Sequence, residues 1–503
     1  MKKNNTDEKL MQEILDEQVE FYYDRENPSN IFVEYLRYNG AIAFEPVDSK
    51  MFKAFLGFVY REESGENVMP DFSELLAIEC QNLMYCQQGK GVTINRRVAG
   101  SISKGKILYF LADDRWTSLL IKNDGWKKAR SKKIKFLRDS FDEAQAMPCG
   151  GGDLLKLLRS YVNMDEDSFI LFAVYLVQAF SRTSSHFAAI ISSDKGTGKT
   201  TLTKVMRTLI DPSKTGATIM PSNEGDLKNL LANGYMVCFD NTAALTTKFS
   251  NILCAAITGS KEAKRKLYTD CDQIILSLHN LVVLNGIDVV PHKSDLAERS
   301  LLFELQPISK GRRKTDDVFW KDFQQDRAAI LGAILDTLAK AMTLLPSVEH
   351  KGLHRMADAN LEMIAIAMAL GLPQDEFQKI LDDNKKKLQD AYNRMNPFLE
   401  FVVSFMRGRS DVDMAAEALY REMQSKIVGS GKFFPESPSA LSRKLNQERE
   451  ALLEEGYEFS RGEKKRDHNH LVIRRIPGSR QSQKQKQTMA HRERLLVDAS
   501  TEE

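Results

Sequence analysis

The sequence is short of the features that define several large protein classes. Its 503 residues hold six cysteines, Cys80, Cys86, Cys149, Cys238, Cys254 and Cys271, and none forms a CxxC pair. No histidine cluster completes a zinc set, which excludes a zinc ribbon, and scattered thiols suit a reducing compartment. Cys238 and Cys254 lie in apolar stretches, as packing residues do. Charge of one sign is not in excess: 71 Lys and Arg face 69 Asp and Glu, so any nucleic-acid binding must come from local basic patches. The longest apolar run, FILFAVYLVQAF from Phe169 to Phe180, falls short of the roughly 20 residues of a membrane span and reads as a buried helix. The amino end, MKKNNTDEKLMQEILDEQ, lacks the apolar segment of a signal peptide. No internal repeat is present. What remains is an ordinary globular composition, long enough for two to four domains.

Residues 1–150 begin with a helical pattern and then alternate. Between Val92 and Leu137 the runs VTINRRV, KILYFLA, WTSLLIK and KIKFLR predict a β-meander in an α+β domain without an assigned role. Lys127, Lys128, Arg130, Lys132, Lys133 and Lys135 make it basic; a solvated sheet face and a single-stranded nucleic-acid contact both fit. Adjacent Asp113 and Asp114 read as a turn, and the CGGG of Cys149–Gly152 as a linker. Residues 151–310 alternate apolar runs with helical patterns, the mark of an α/β domain with a parallel sheet. Strands are expected at 186–192, 217–220, 235–239, 281–284 and 301–305. Residues 311–392 are helical throughout. Residues 393–477 combine helices with two strands, YEFS and HLVIRRI, around the basic turn RGEKKRDHN, the pattern of a winged-helix domain. One helix is expected from Pro438, capped by Ser437, to Gly456. From Arg461 to Arg494 there are eleven Lys and Arg against three acids, a charge excess that suits duplex DNA; protein–protein contact is the other reading. The polar tail 478–503 reads as disordered.

The central motif is Ser193-Asp194-Lys195-Gly196-Thr197-Gly198-Lys199-Thr200, followed by Thr201. It follows the apolar FAAIIS and precedes the helix-like TLTKVMRTLI. This is the G-x-x-x-x-G-K-[ST] phosphate loop with Ser193 in place of the first glycine. Its glycines let successive N–H groups turn toward phosphate oxygens, and the helix amino end adds partial positive charge. Lys199 would reach the β- and γ-phosphates of ATP, and the Thr200 hydroxyl would ligate Mg2+. The metal-side carboxylate that such a loop needs is supplied by Asp240 at the end of YMVCFD. The next residue, Asn241, stands where many motor ATPases carry a glutamate that activates water. Either another acid serves, with Glu224 and Asp226 as candidates, or hydrolysis is slow.

Asn285 in LVVLNG has two readings: an amide that orients attacking water, or the Asn-Gly of a common turn. Arg299 lies just before LLFEL and has two readings: an arginine finger reaching a neighbouring subunit, or a surface ion pair with Asp295.

The order of Lys199, Asp240, Asn285 and Arg299 resembles that of superfamily 3 helicases within the AAA+ ATPases. More narrowly, DNTAAL, RKLYTD, LNGID and DLAERSLLFEL resemble phage and prophage ATP-binding proteins described as replicative primase–helicase-like ATPases. The resemblance covers roughly residues 90–475. It implies a DNA-bound homo-hexameric ring with ATP between subunits, Lys199, Thr200 and Asp240 from one subunit and Arg299 from the next, Asn285 as sensor, and 3′→5′ polarity. It also implies a hairpin before the sensor strand, facing single-stranded DNA in the channel. Lys261, Lys264, Arg265 and Lys266 lie near it and would hold phosphates; a solvated helix end is the alternative. Arg443, Lys444, Lys464, Lys465 and Arg466 would hold duplex DNA at the winged helix. Without zinc cysteines or a carboxylate cluster, primase chemistry is not expected. A slow ATP-dependent DNA-binding switch and a P-loop phosphotransferase are the competing functions. The expected setting is the cytoplasm of a bacterial host, away from membranes.

Overall fold

Short alternating runs build the amino-terminal part. Helix α1 (Lys2–Gln18) passes directly into β1 (Val19–Asp24), followed by β2 (Ile31–Leu36), β3 (Ile42–Pro46), α2 (Lys50–Ser64), α3 (Ser73–Cys86) and β4 (Gly91–Asn95). Strands β5 (Val98–Ser101), β6 (Lys106–Phe110), β7 (Ser118–Lys122) and β8 (Gly125–Ala129) then pair in chain order as the expected antiparallel meander. Its two expected ends leave it. β4 and β9 (Ile134–Phe136) join β1–β3 in a second sheet, ordered β3-β2-β1-β4-β9. One core cluster of this part unites Met11, Ile14, Val33, Phe52 and Tyr60, from α1, β2 and α2. The basic stretch is not uniformly solvated. Lys127 and Lys128 are exposed, but Lys135 is buried, its ammonium 4.6 Å from the Tyr22 ring and 2.7 Å from Glu34. This computed structural model describes all residues except 1, 68, 70, 87–89, 184, 194–195, 243–244, 266–272, 287–293, 309–310, 312, 352–354, 395, 428–432, 463–469 and 477–503.

The middle of the chain alternates helices and strands: α4 (Leu154–Leu158), α5 (Glu166–Gln178), β10 (Ala188–Ser192), α6 (Lys199–Ile210), α7 (Glu224–Asn233), β11 (Met236–Phe239), α8 (Thr247–Thr258), β12 (Ser260–Arg265), β13 (Gln273–Leu278), β14 (Leu281–Gly286), α9 (Ser294–Glu298) and β15 (Ser300–Glu304). β11, β14, β10 and β15 lie side by side in that order, all parallel. Their near-continuous apolar sequences match strands buried on both faces. The strand expected at 217–220 is reduced to one bridge, Thr218 to Phe239. Gly216 turns the chain at φ 60° on one side, Pro221 stands on the other, and Ile219 points into solvent.

Both edges of this sheet are closed by side chains, which leaves little template for edge pairing. At β11, Asp211 accepts from Met236 N (3.2 Å) and the Arg207 guanidinium donates to Met236 O. At β15, Asn384 accepts from Leu302 N (3.0 Å) and donates to Leu302 O (2.7 Å). Asn384 belongs to α12 (Gln374–Arg394), which follows α10 (Asp316–Leu344) and α11 (Ala357–Ala369). Helix α10 is long and apolar enough to cross a membrane by composition, but its apolar stretch is core: Ile330, Leu331, Ile334, Leu335 and Leu338 are all buried within the protein.

The glycine run before α4 does not behave as a free linker. Cys149 N donates to Ala328 O (3.0 Å) and Gly151 N to Asp336 (3.1 Å). Gly332 of α10 allows this approach, since a Cβ there would lie 1.7 Å from Cys149 O.

Residues 1–387 form one unit and those from Leu388 a second. The second holds the end of α12, then α13 (Pro397–Met406), β16 (Asp411–Ala415), α14 (Ala416–Ser425), α15 (Pro438–Gln447), α16 (Arg449–Glu454), β17 (Tyr457–Arg461) and β18 (His470–Arg475). Its sheet is antiparallel, ordered β16-β18-β17. MAAEALYREM reads as helix from Met414, but Met414 and Ala415 belong to β16 and α14 starts at Ala416. The helix expected from Pro438 to Gly456 begins as read, with Ser437 accepting from Ala440 N (3.2 Å), but breaks at Glu448. That carboxylate is buried and accepts from Tyr392 Oη and Asn396 Nδ2 (both 2.9 Å) while pairing with Lys444 (2.7 Å). Tertiary hydrogen bonding overrides a continuous helical pattern here.

Candidate functional site

The phosphate loop sits where β10 meets α6. Strand β10 is buried almost throughout, and its register sets Ser192 beside Gly286 of β14 and Glu304 of β15. The loop thus emerges at the carboxyl edge of a parallel sheet, the usual place for ligands in open α/β folds. Gly196 (φ 78°) and Gly198 (φ 94°) take left-handed backbone, which glycine alone adopts without cost. Gly198 is the N-cap of α6 and provides no capping side chain, so the helix amino end faces the loop without one. Ser193 is not among the residues with positive φ, so a side chain in the first glycine position meets no backbone penalty. Its hydroxyl bonds that of Thr197, and its carbonyl accepts from Lys199 Nζ (2.6 Å). Asp194 and Lys195 lie outside the described residues. Thr201 follows Thr200 in the first turn of α6.

Asp240 closes β11 at the same sheet edge. Thr200 Oγ1 lies 3.3 Å from Asp240 Oδ2. Two oxygens at cis positions of an octahedral Mg2+ stand about 3 Å apart, so this hydroxyl and carboxylate fit a shared ion. Asn285, buried at the end of β14, donates Nδ2 to Asp240 Oδ1 (3.0 Å) and lies 3.3 Å from Thr203 Oγ1 of α6. Thr203 in turn donates to Lys199 O (3.1 Å). Lys199, Thr200, Asp240 and Asn285, from three separate stretches of sequence, are therefore joined in one hydrogen-bonded set.

Asn241 departs from that set. It is exposed, takes φ 51°, and bonds Asp240 Oδ1 through its main-chain N–H (2.9 Å). Asparagine tolerates this left-handed conformation better than most residues. The proposed alternative bases are engaged elsewhere: Glu224 pairs with Lys248 (3.1 Å), and Asp226 accepts from the Asn223 amide (2.6 Å).

Arg299 lies at the other end of the sheet. Ser300 pairs with Ala188 and Glu304 with Ser192, so five strand steps separate Arg299 from the loop edge, about 17 Å at the strand rise. Its guanidinium donates to Asp295 O (2.8 Å) and forms an ion pair with the Asp295 carboxylate. Arg355 bridges Asp295 and Glu298 (2.8 Å each). Burial pushes the Asp295 carboxyl up, but the Arg299 hydrogen bond and the charges of Arg299 and Arg355 outweigh it and hold the carboxyl below its usual range. The local pair read from the sequence is thus present within one chain. Lys385 packs against the same turn. Its ammonium, directed at Glu298 O and Ser300 O, is pushed down to about 7 by burial.

The stretch before β14 is an antiparallel ribbon of β12 and β13, with Ser260 opposite Leu278 and Arg265 opposite Gln273. Lys261, Lys264 and Arg265 lie on β12, on a strand and not at a helix end; Lys266 lies outside the described residues. In the carboxyl-terminal unit Arg443 is exposed, Lys444 pairs with Glu448, and Lys464, Lys465 and Arg466 lie outside the described residues.

Sequence reasoning missed the buried polar cluster at the far end of α6. Arg97 Nε meets Asp211 at 2.7 Å, and its other nitrogens bond Phe110 O and Pro212 O. Gln145 donates to Leu209 O (2.7 Å), and Tyr109 to Ile210 O (3.0 Å). The only sequence signal was the adjacent charged pair Arg96-Arg97 between the runs VTI and VAG.

A sequence-family model described as "Actinomycete integrative conjugative element replication protein" matches residues 153–386. That span contains the phosphate loop, Asp240, the ribbon, Asn285 and Arg299. No curated protein matches the chain. Among solved structures, the A form apo structure of the NrS-1 C-terminal region is 12% identical, with 93% of this chain and 99% of that one covered and a TM-score of 0.40. Another apo structure of the same region is 14% identical, with 92% and 98% covered and a TM-score of 0.36.

Proposed function

We propose that this chain is an ATP-hydrolysing, DNA-directed motor of the helicase type that serves replication of a mobile element. The observation that carries the ATPase part is the 3.3 Å approach of Thr200 to Asp240 beside a glycine-bent loop, with Asn285 holding the carboxylate. The replication part is supported by the family description matched over residues 153–386.

In this reading Lys199 and the loop N–H groups bind the β- and γ-phosphates of ATP. Thr200 and Asp240 hold Mg2+, which neutralises charge on the transferring phosphoryl group. Asn285 fixes the Asp240 carboxylate and orients water. Arg299, too far along its own strand to serve its own loop, acts on the neighbouring subunit in a homo-hexameric ring of the superfamily 3 kind, with 3′→5′ movement. The β12–β13 ribbon contacts single-stranded DNA. The carboxyl-terminal unit, helices α13–α15 with an antiparallel β16-β18-β17 sheet, is a winged helix that binds duplex DNA, with Arg443 exposed on its third helix. Such a role belongs in the cytoplasm of a bacterial host.

A second reading is supported by two specific features, the amide of Asn241 in the usual glutamate position and the engagement of Arg299 by Asp295. A chain so equipped binds ATP, assembles, hydrolyses slowly and acts as a DNA-bound switch. The test is ATP turnover with and without single-stranded DNA, alongside strand displacement. DNA-stimulated turnover that disappears in Lys199→Ala supports the motor, and undiminished stimulation in that variant overturns it. Turnover without strand displacement favours the switch.

A further inference from the structure

The ribbon of β12 and β13 is poorly supported by itself, since a two-stranded antiparallel ribbon is at best marginally stable in water. Its apolar residues lie mainly on one strand: SKEAKR of β12 has a single one, while QIILSL of β13 has four, with Leu278 buried. Ile275 pairs opposite Ala263, and both main-chain groups of Ile275 are taken from outside the ribbon. Asn27 Oδ1 accepts from Ile275 N (2.8 Å), and Asn27 Nδ2 donates to Ile275 O (2.9 Å). A carboxamide that exchanges both bonds with one residue reproduces a strand neighbour at the outer edge of β13.

Asn27 is itself held rigidly. Asn27-Pro28-Ser29-Asn30 forms a turn closed by Asn30 N to Asn27 O (2.8 Å), with proline at the position that favours such a turn. Asp24 accepts from Glu26 N (3.0 Å), and Arg25 ties the turn to β4 through Gly91 O (3.0 Å). Two ion pairs flank the amide contact: Glu26 with Lys261 (2.9 Å), and Lys228 of α7 with Glu262 (2.6 Å).

We infer that the turn between β1 and β2 is a clamp in which Asn27 is a positioning residue, fixing the β12–β13 ribbon and giving the amino-terminal sheet the task of holding it against DNA. The DNA part of this inference rests on the proposed function; the clamp does not. Among the described residues no hydrogen bond joins Asn27 to the phosphate loop or to Asp240, so its removal leaves basal ATP turnover intact. It releases the ribbon, and DNA then couples less well to the site.

The test compares full-length wild type with Asn27→Ala by hydrogen exchange in the absence of DNA. Two hydrogen bonds of ordinary strength predict about tenfold faster exchange at the Ile275 amide and its neighbours in β13, with β10 and β14 unchanged. Asn27→Asp sets a carboxylate oxygen against Ile275 O, 2.9 Å from the replaced donor, so it should speed exchange at least as much as Asn27→Ala; it also serves if the alanine variant folds poorly. Unchanged exchange in β13 overturns the clamp. In parallel, ATP turnover with and without single-stranded oligodeoxythymidylate should show an unchanged basal rate and a several-fold loss of stimulation in Asn27→Ala. Full stimulation in a variant whose β13 exchanges fast overturns the positioning role. A wild-type enzyme indifferent to the oligonucleotide overturns the DNA reading of the ribbon, while the exchange comparison still decides the clamp.

Discussion

The Asn285 side-chain amide donates to Asp240 Oδ1 across 3.0 Å and thereby fixes the one carboxylate that also meets Thr200. Without that donor, Asp240 Oδ1 keeps only the Asn241 main-chain N–H (2.9 Å), and the carboxylate is held less firmly toward the hydroxyl. Partners that orient a metal ligand typically contribute 10–100-fold to metal affinity or activity. Asn285→Ala should therefore lower kcat by about that factor and raise the Mg2+ needed for half-maximal turnover, with nucleotide binding retained. Asn285→Asp should be worse, because a second carboxylate beside Asp240 raises the pKa of one of them. Steady-state turnover across a Mg2+ titration measures both, and wild-type Mg2+ dependence in Asn285→Ala would remove this role.

Arg299 supplies a test of assembly. Its strand register places it about 17 Å from its own phosphate loop, so in the proposed motor it serves a neighbour. Arg299→Ala should lower turnover by about 10³-fold or more, the range of trans-acting arginines. Mixing Arg299→Ala with Lys199→Ala subunits should then restore activity, since an intact loop meets an intact arginine at some interfaces. Asp295→Ala should release the guanidinium and raise turnover at low protein concentration. A mixture as inactive as its parts would leave Arg299 as half of the local pair with Asp295.

The phosphate loop was legible because its chemistry is contiguous: glycines, lysine and threonine fall within eight residues between an apolar run and a helix. The parallel strands were legible for the same reason, their burial on both faces giving unbroken apolar sequences. β1 was not, since it follows α1 with no glycine, proline or turn residue between Gln18 and Val19. The β12–β13 ribbon came from family resemblance alone: β12 (SKEAKR) has one apolar residue, and the apolar β13 (QIILSL) runs through His279 and Asn280 into LVVL with no glycine or proline to part the strands. The break at Glu448 and the clamp at Asn27 depend on partners 52 and 248 positions away, which no local pattern contains. The pair of Arg299 with Asp295 is four residues apart and was readable, whereas its occlusion of the guanidinium was not.

The buried pair of Arg97 and Asp211 ties the meander to the far end of the phosphate-loop helix. Burial pushes the Asp211 carboxyl up, but Arg207 and Arg97 overcome it and hold it below the usual range. Both partners remain ionised, and removing one strands a buried charge at a cost of about 3–5 kcal/mol. Arg97→Met should fall near the lower end, because Arg207 still lies 3.2 Å from Asp211. Since the folded pKa of Asp211 is depressed, its stabilisation is present above about pH 4 and lost as pH falls below it. Urea unfolding at neutral pH and at pH 3 checks both statements. A loss under 1 kcal/mol in Arg97→Met would mean that the cluster repacks.

Acid should also act through a second buried pair, at the start of β10. His186 and His279 stack with ring centroids 5.2 Å apart, and His186 has no hydrogen-bond partner for either ring nitrogen among the described residues. Arg182 Nε donates to His279 Nδ1 (3.2 Å), which requires that nitrogen to be unprotonated. Burial, reinforced by Arg182, pushes His279 down to about 4, and burial holds His186 well below its ordinary value. The unfolded chain then binds more protons than the folded one as pH drops from about 6.5 toward 4, so stability is complete above that window and declines through it. The urea midpoint should fall steadily over this range in wild type. His186→Phe keeps an aromatic ring in the stack and removes one titrating group, so its midpoint should vary less with pH. An equally steep decline in that variant would assign the acid sensitivity to other groups.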